Sequence, residues 1–294
     1  IGLIQLPDFQ RSWVWDEERI KSLIASISRS FPVGALMTLN TGGAVNFKPR
    51  PLEGALPDAK NTLPQSLLLD GQQRMTSLYQ VTLRNKVVET VTPKSKKVKR
   101  WFYIDIRKAL NAILDREEAI VGVPEDRMIR TDFGREVELD LSTPENEYKA
   151  LMYPVTQVFD WDRWQDGFDQ YWRGDNNESI RETFRKFKRE VLENFKYYRV
   201  PVISLDRATS KEAVCVVFEK VNTGGKALDA FELVTAMYAA EGHELRKDWY
   251  GDDGQKGRHR RFVDTLRPAD SEAGIIANVS NTDFLQAVSL FYTR

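Results

Sequence analysis

The sequence predicts an α+β fold, in which a small mixed sheet with flanking helices carries a mostly helical insertion. Three observations predict it. Short apolar runs next to Gly or Pro, such as residues 66–70, are typical of strands. Apolar residues at helical spacing, as in residues 20–31, indicate helices that cover a sheet. Residues 107–195 have a mostly helical pattern broken by prolines, which predicts the insertion.

Caps and spacing predict the first elements. Residues 3–6 are predicted to form a strand that ends at Pro7, and residues 35–39 form a second strand after Gly34. Between them, Asp16 is placed to cap a helix whose first turn is acidic. The apolar face of this helix consists of Ile20, Leu23, Ile24, Ile27 and Phe31.

The later elements repeat this alternation. Residues 66–70 are a predicted strand, and a helix begins at Gln72 after a glycine turn. Residues 87–91 and 101–106 are predicted to form a hairpin with a basic run at its tip. Residues 197–205 alternate in polarity, which predicts a strand that returns to the sheet.

The order of these elements divides the chain into three parts. Residues 1–106 and 196–240 are predicted to form one core, residues 107–195 an inserted subdomain, and residues 241–294 the start of a C-terminal helical region. The first residues are strand-like, and the last are apolar without a helix-stop signal. We therefore expect the sequence to be a trimmed piece of a longer protein.

Composition excludes several classes of protein. The chain has 294 residues, 43 basic and 43 acidic side chains, and 41% hydrophobic residues, which predicts a folded globular protein. Its one cysteine excludes an internal disulfide and a cysteine-rich zinc site. No apolar run reaches the roughly 18 residues of a membrane helix, and no signal peptide opens the chain. We expect a cytoplasmic protein without a membrane partner.

Charge is distributed unevenly along the chain. The net charge is +7 for residues 1–100, −9 for residues 101–180 and +2 for residues 181–294. Two short basic runs occupy residues 94–100 and 256–261, and each either lies in a solvated loop or contacts nucleic-acid phosphates. The DNA-binding candidates of the first run are Lys96, Lys97, Lys99 and Arg100.

The strongest site candidate is the turn Asp70-Gly71-Gln72-Gln73-Arg74, where an apolar strand leads into a helix. Gly71 permits a ligand to approach the backbone closely, and a helix N-terminus favours anions. Arg74 offers a planar fork for phosphate, and Asp70 offers a carboxylate for a divalent cation or a water molecule. The alternative is a plain strand-to-helix turn in which Asp70 caps the helix.

A second candidate segment, residues 7–15, mixes polar and aromatic side chains between a strand and a helix. Gln10 and Arg11 are placed to contact phosphates or bases. Trp13 and Trp15 either stack on bases or pack into the core.

A third candidate is the glycine pair near residue 224. Asn222, Gly224 and Gly225 follow an apolar helical stretch. Their backbone N–H groups form an anion-binding nest, or the residues form a helix C-cap and turn. We include them as candidate phosphate contacts.

Four stretches together resemble one known family. Their order and spacing are similar to those in the N-terminal domain of GmrSD-type restriction endonucleases, a ParB/sulfiredoxin-like domain. The stretches are residues 6–15, 31–34, 68–79 and 218–225. The third contains the motif Asp70-Gly71-Gln72-Gln73-Arg74 in full.

The resemblance implies a site that hydrolyses nucleoside triphosphates at residues 70–74, and a role in bacterial defence against phage through recognition of DNA, often modified. It implies that Gln10, Arg11 and the stretch Phe31-Pro32-Val33-Gly34 lie near a DNA-sensing surface. The family's usual partner is a C-terminal histidine-dependent nuclease domain. The chain has two histidines and no such motif, so the nuclease is expected in a further region or a separate subunit.

We therefore predict a domain that binds and hydrolyses a nucleoside triphosphate (NTP) with Mg²⁺, and controls DNA cleavage by a nuclease outside this sequence. Asp70, Gln73 and Arg74 are the predicted catalytic residues. Arg74 offsets phosphate charge, Gln72 or Gln73 positions the γ-phosphate or the attacking water, and Asp70 contacts the metal or water. Two alternatives are a nucleotide-gated DNA sensor without hydrolysis, and a domain that is itself a nuclease.

Overall fold

The predicted α+β class is confirmed. The computed structural model describes residues 2–210 except 9, 11, 44, 46, 112 and 114. Beyond residue 210 it describes residues 213–214, 216–217, 220, 231, 234–235, 238, 243–252, 254–266 and 279–292.

Strands dominate the first half of the described chain, and helices the second. The strands are β1 (Ile4–Pro7), β2 (Leu36–Asn40), β3 (Pro49–Arg50), β4 (Ser66–Asp70), β5 (Val88–Val91), β6 (Lys97–Asp105), β7 (Ile120–Pro124), β8 (Met128–Thr131), β9 (Glu136–Asp140), β10 (Met152–Pro154), β11 (Val202–Leu205), β12 (Gly251–Asp252) and β13 (Gln255–Lys256). The α-helices are α1 (Glu17–Ser28), α2 (Gln72–Leu78), α3 (Ile106–Ala109), α4 (Pro144–Ala150), α5 (Asp162–Tyr171), α6 (Glu178–Phe187), α7 (Glu193–Tyr197), α8 (Leu245–Tyr250), α9 (Arg258–Leu266) and α10 (Asn281–Tyr292). One π-helical turn, Tyr79–Leu83, continues α2, and another, Lys188–Leu192, joins α6 to α7.

A mixed sheet with the strand order β11-β2-β4-β1-β3 holds the motifs found in the sequence. β11 pairs parallel with β2, and β1 pairs parallel with β4, whereas β2 is antiparallel to β4. In that antiparallel pair Met37 is opposite Asp70. The loop that leads into β2 therefore lies beside the turn that follows β4.

A second, antiparallel sheet is built around the long strand β6. β7 pairs along one edge of β6, while β5 and β10 pair with its two ends along the other edge. The predicted hairpin is therefore confirmed as β5–β6. The prediction that the whole basic run lies at the hairpin tip is wrong, because β6 begins at Lys97 and includes the last four residues of the run. The second run is not all loop either, since α9 begins at Arg258.

Helix α1 follows the cap predicted for it. The Asp16 carboxylate accepts a hydrogen bond from the Arg19 N–H at 2.9 Å. The buried residues Ile20, Leu23, Ile24 and Ile27 join the main hydrophobic cluster. Phe31 does not share this face, because α1 ends at Ser28 and Ser30 has a φ of 55°. The Phe31 side chain is 52% exposed.

The segment 107–195 contains α4, α5 and α6, and it also supplies β7 to β10, which its helical pattern did not reveal. Trp164 and Phe168 stack at a centroid distance of 5.1 Å within an aromatic cluster. The domain boundaries given above stay a prediction. None of the described helices combines the length and the apolar character needed to cross a bilayer.

A buried carboxylate ties this segment to the second sheet. Glu147 in α4 is 4% exposed and accepts hydrogen bonds from the Tyr103 hydroxyl at 2.9 Å and the Trp164 indole N–H at 3.0 Å. Arg127 approaches the same carboxylate at 3.6 Å and lies 4.5 Å from the centre of the Trp101 ring. Burial raises the pKa of the Glu147 carboxyl, although the three donors act in the opposite direction.

Candidate functional site

The turn between β4 and α2 requires glycine. Gly71 has a φ of 93°, and a Cβ there would lie 2.3 Å from Leu36 Cδ2. Gly71 is itself the N-cap of α2, and no side chain caps the helix. The alternative in which Asp70 caps the helix is therefore wrong.

Asp70 instead pairs with Arg74, one helical turn further on. Arg74 Nη2 donates to Asp70 Oδ2 at 3.1 Å, and Arg74 Nη1 donates to the Val33 carbonyl at 2.6 Å. The Arg74 side chain is 19% exposed and the Asp70 side chain is 34% exposed. A guanidinium has five N–H donors, so these bonds leave donors for a further anion.

The loop Phe31-Pro32-Val33-Gly34 lies against this guanidinium. Phe31, Pro32 and Gly34 are exposed, and Val33 is half-buried. The Tyr198 hydroxyl donates to the Phe31 carbonyl at 2.6 Å and accepts from the Val33 N–H at 3.1 Å. The structure thus brings together two stretches that the sequence analysis treated separately. The sequence analysis missed Tyr198, because no local pattern marks a residue that acts across 165 positions.

We expect Gly34→Ala to destabilise the domain more than Gly42→Ala. Both glycines have left-handed φ values, 87° and 86°. A Cβ at Gly34 would lie 2.6 Å from Arg74 Nη1, whereas a Cβ at Gly42 has nothing within 4 Å. The difference between the losses of stability in the two variants therefore reports the cost of displacing the Arg74 guanidinium. We expect it to be about 1–3 kcal/mol in the free energy of unfolding, measured with urea. Equal losses in the two variants would show that the contact with Arg74 contributes nothing.

Gln73 holds the segment before α1. Its Oε1 accepts from the Val14 N–H at 2.9 Å, and its Nε2 donates to the Ser12 carbonyl at 3.2 Å. Gln73 and the adjacent Gln72 are both buried. Both ends of the Gln73 amide therefore position backbone, a role that residue type alone did not reveal.

Gln10 also has a positioning role. It is 8% exposed, and its Nε2 donates to the carbonyls of Leu68 and Leu69 in β4 at 2.8 and 2.9 Å. Its Oε1 is buried without a recorded partner in the described part of the chain. Its predicted contact with DNA would require this amide to leave β4.

The two tryptophans of the same segment pack rather than stand free. Trp13 and Trp15 are partly buried against the main hydrophobic cluster. The Trp13 indole N–H donates to Ser77 Oγ at 2.9 Å, and the Trp13 backbone N–H donates to Glu53 at 3.1 Å. The first contact attaches Trp13 to α2, and the second attaches it to the loop after β3.

The structure divides the first basic run. Lys96 and Lys97 are exposed, at the tip of the β5–β6 hairpin and at the start of β6. Lys99 pairs with Glu125 at 2.9 Å, and Arg100 pairs with the nearly buried Glu17 at 3.0 Å. The predicted DNA contacts at Lys99 and Arg100 would therefore compete with protein carboxylates.

Four candidate residues cannot be compared with the structure. Arg11, Asn222, Gly224 and Gly225 lie outside the described residues. Their predicted contacts with DNA or phosphate stay predictions.

The donor set suits a magnesium ion that arrives with phosphates. Asp70 is the only carboxylate in the turn of residues 70–74, and it is partly exposed. Magnesium is commonly held by one or two carboxylates, substrate phosphates and water. In the described part of the chain, no three or more His, Cys, Asp or Glu residues form a metal cage. Asp70 fits as a single protein ligand.

Most of the chain is similar to one family of known proteins. Residues 1–239 match the model of the family described as "GmrSD restriction endonuclease, N-terminal domain". An uncharacterized protein of Methanocaldococcus jannaschii is 26% identical over 258 residues, which cover 84% of this chain and 41% of that relative. The chain thus spans less than half the length of this relative. With the match to residues 1–239, the chain belongs to the family of GmrSD restriction endonuclease N-terminal domains.

Proposed function

We propose that this domain binds an NTP with Mg²⁺ at residues 70–74, hydrolyses it, and thereby controls DNA cleavage by a nuclease region outside the chain. The observation that carries the proposal is the position of Arg74. Its guanidinium lies between Asp70 and the Val33 carbonyl, at the turn into α2. The first N–H groups of a helix have no intrahelical acceptors, so the same turn offers backbone donors to phosphate.

Each residue has a defined part in this proposal. Arg74 binds phosphate oxygens and offsets the charge that develops on them. Asp70 holds the Mg²⁺ ion, which supplies charge neutralisation on the phosphates. Gly71 keeps the turn free of a side chain. Gln73 holds residues 12–14 in place, so we now assign it a positioning role.

Control of DNA binding follows from the shared guanidinium. A phosphate can use the donors that Asp70 and Val33 leave free, but a contact that includes Nη1 displaces the Val33 carbonyl. The loop of residues 31–34 would then still be held by the Tyr198 hydroxyl and by the Phe31 N–H, which donates to the Ser26 carbonyl at 2.9 Å. Because this loop is exposed, its movement would change the surface offered to DNA, with Lys96 and Lys97 as further phosphate contacts.

A nucleotide-gated DNA sensor without hydrolysis is the second candidate function. It is favoured by the Gln73 contacts, because an amide with both ends bonded to Ser12 and Val14 does not readily orient a water. In this case the nucleotide would bind and move the loop without being cleaved.

Phosphate release from each of the four NTPs with Mg²⁺, with and without DNA, separates these functions. Hydrolysis predicts release with at least one NTP, and a rate that changes when DNA is added. Binding in calorimetry without release would favour the sensor. If no NTP is hydrolysed and none binds, both functions are contradicted.

A further inference from the structure

A groove of about 530 Å³ lies between α3 and α6. It is distant in sequence from the turn of residues 70–74, and none of those residues lines it. Its volume falls within the roughly 300–1,000 Å³ of small-molecule sites. Arg107 and Lys186 line it, together with the polar side chains of Asn111 and Ser179. None of the described residues that line it is acidic.

The two cations of the groove have no carboxylate partner in the described part of the chain. This is so although residues 101–180, which include Arg107, carry a net charge of −9. On α6 itself, Arg181 and Arg185 both pair with Glu178. Arg107 and Lys186, in contrast, form no ion pair there, although both are exposed. Two cations without an ion-pair partner in the described residues give the groove a local positive charge, which attracts an anion.

The other lining residues suit the organic part of a larger ligand. Leu110 and Ile180 are half-buried side chains that pack on the main hydrophobic cluster and contribute apolar wall to the groove. The Asn111 amide can both donate and accept, and the Ser179 hydroxyl can do the same. An inorganic ion would use the cations alone, whereas a larger molecule would also cover the apolar wall.

We propose that this groove binds a small organic phosphate of nucleotide size, with its phosphate on Arg107 and Lys186 and its body against Leu110 and Ile180. The inference is independent of the proposed function, because no residue of 70–74 lines the groove. It adds a second, separate anion site to the domain.

The test is a calorimetric titration with AMP and with inorganic phosphate, at low salt. The chain carries Arg74→Ala, so that the candidate NTP site contributes less to the heat. In this background, the groove pair Arg107→Gln with Lys186→Gln is compared with a control pair, Lys108→Gln with Lys149→Gln. Both pairs remove two exposed positive charges from the same segment, but only the first lines the groove.

We expect AMP to bind and the groove pair to weaken it by at least about tenfold, since two charge-assisted hydrogen bonds are lost. The control pair should change the affinity by less than about twofold, because exposed charges outside the site act only through a screened field. Phosphate should bind at least about tenfold more weakly than AMP, because it leaves the apolar wall uncovered. No AMP binding at millimolar concentration, equal weakening by both pairs, or equal affinity for phosphate and AMP would overturn the proposal.

Discussion

Arg74→Ala is expected to lower NTP turnover by at least about tenfold, and by up to about 10³-fold if the guanidinium acts mainly in the transition state. The variant removes the donor pair that lies between Asp70 and the Val33 carbonyl. It leaves Gly71 and the backbone of the turn unchanged. The measurement is steady-state phosphate release with Mg²⁺, at saturating concentration of the preferred NTP.

Two further variants make this result specific. Arg74→Lys keeps the charge but loses the planar fork, so we expect a turnover between those of Arg74→Ala and the wild type. Arg130→Ala is the matched control, because Arg130 also pairs with an acidic residue four positions away, Asp126, but lies on the β8–β9 hairpin. The Arg130→Ala variant should hydrolyse the NTP at the wild-type rate. An unchanged rate in a folded Arg74→Ala variant would contradict the assignment.

Glu147→Ala is expected to lower the free energy of unfolding by about 3–5 kcal/mol, more than Gly34→Ala or Glu145→Ala. The substitution leaves the Tyr103 hydroxyl and the Trp164 indole N–H without their acceptor in a buried site. It also removes the partner of Arg127. Since domains of this kind are stable by about 5–15 kcal/mol, part of the population should unfold at moderate temperature. Chemical denaturation followed by tryptophan fluorescence measures the loss.

The control for this prediction lies on the same helix. Glu145 is exposed, and Glu145→Ala should change the free energy of unfolding by no more than about 0.5 kcal/mol. Similar losses in the two variants would mean that the buried Glu147 carboxylate contributes no more to stability than an exposed one.

The pH dependence of Glu147→Gln gives a second check. Burial raises the pKa of Glu147 above its ordinary value of 4.5, so the folded state retains this proton at a pH where the unfolded state has lost it. Stability from this group is therefore fully present below that ordinary value and falls as the pH rises through the folded-state pKa. The wild type should lose stability relative to Glu147→Gln across this window. A relative gain with rising pH would contradict the raised pKa.

Local patterns predicted the elements that local chemistry determines. Asp16 caps α1 as its residue type indicated, and the apolar residues of α1 are buried. The strand at residues 66–70, the glycine turn and the helix after it also follow the prediction. In each case the signal lies within a few neighbouring residues, which is the distance over which capping and periodicity act.

Contacts between distant segments could not be predicted in the same way. The residue types at positions 70–74 predicted a site, but not that Arg74 bonds to Val33 or that Gln73 holds Ser12 and Val14. The bond to Val33 depends on β2 lying antiparallel to β4, and the Gln73 bonds depend on β1 lying parallel to β4, and no local pattern specifies either pairing. The buried environment of Glu147 was hidden for the same reason, because charged residues in a helical pattern normally indicate a solvated face.

The most direct test of the central claim is a calorimetric titration of Mg²⁺ and NTP into two forms of the chain, with and without Arg74→Ala. Both forms carry Arg107→Gln and Lys186→Gln, so that the groove between α3 and α6 contributes less and contributes equally in both forms. If residues 70–74 bind the phosphates, at least one NTP binds the first form, and Arg74→Ala weakens it by at least about tenfold. Equal affinity in the two forms would contradict the claim that Arg74 holds the phosphate.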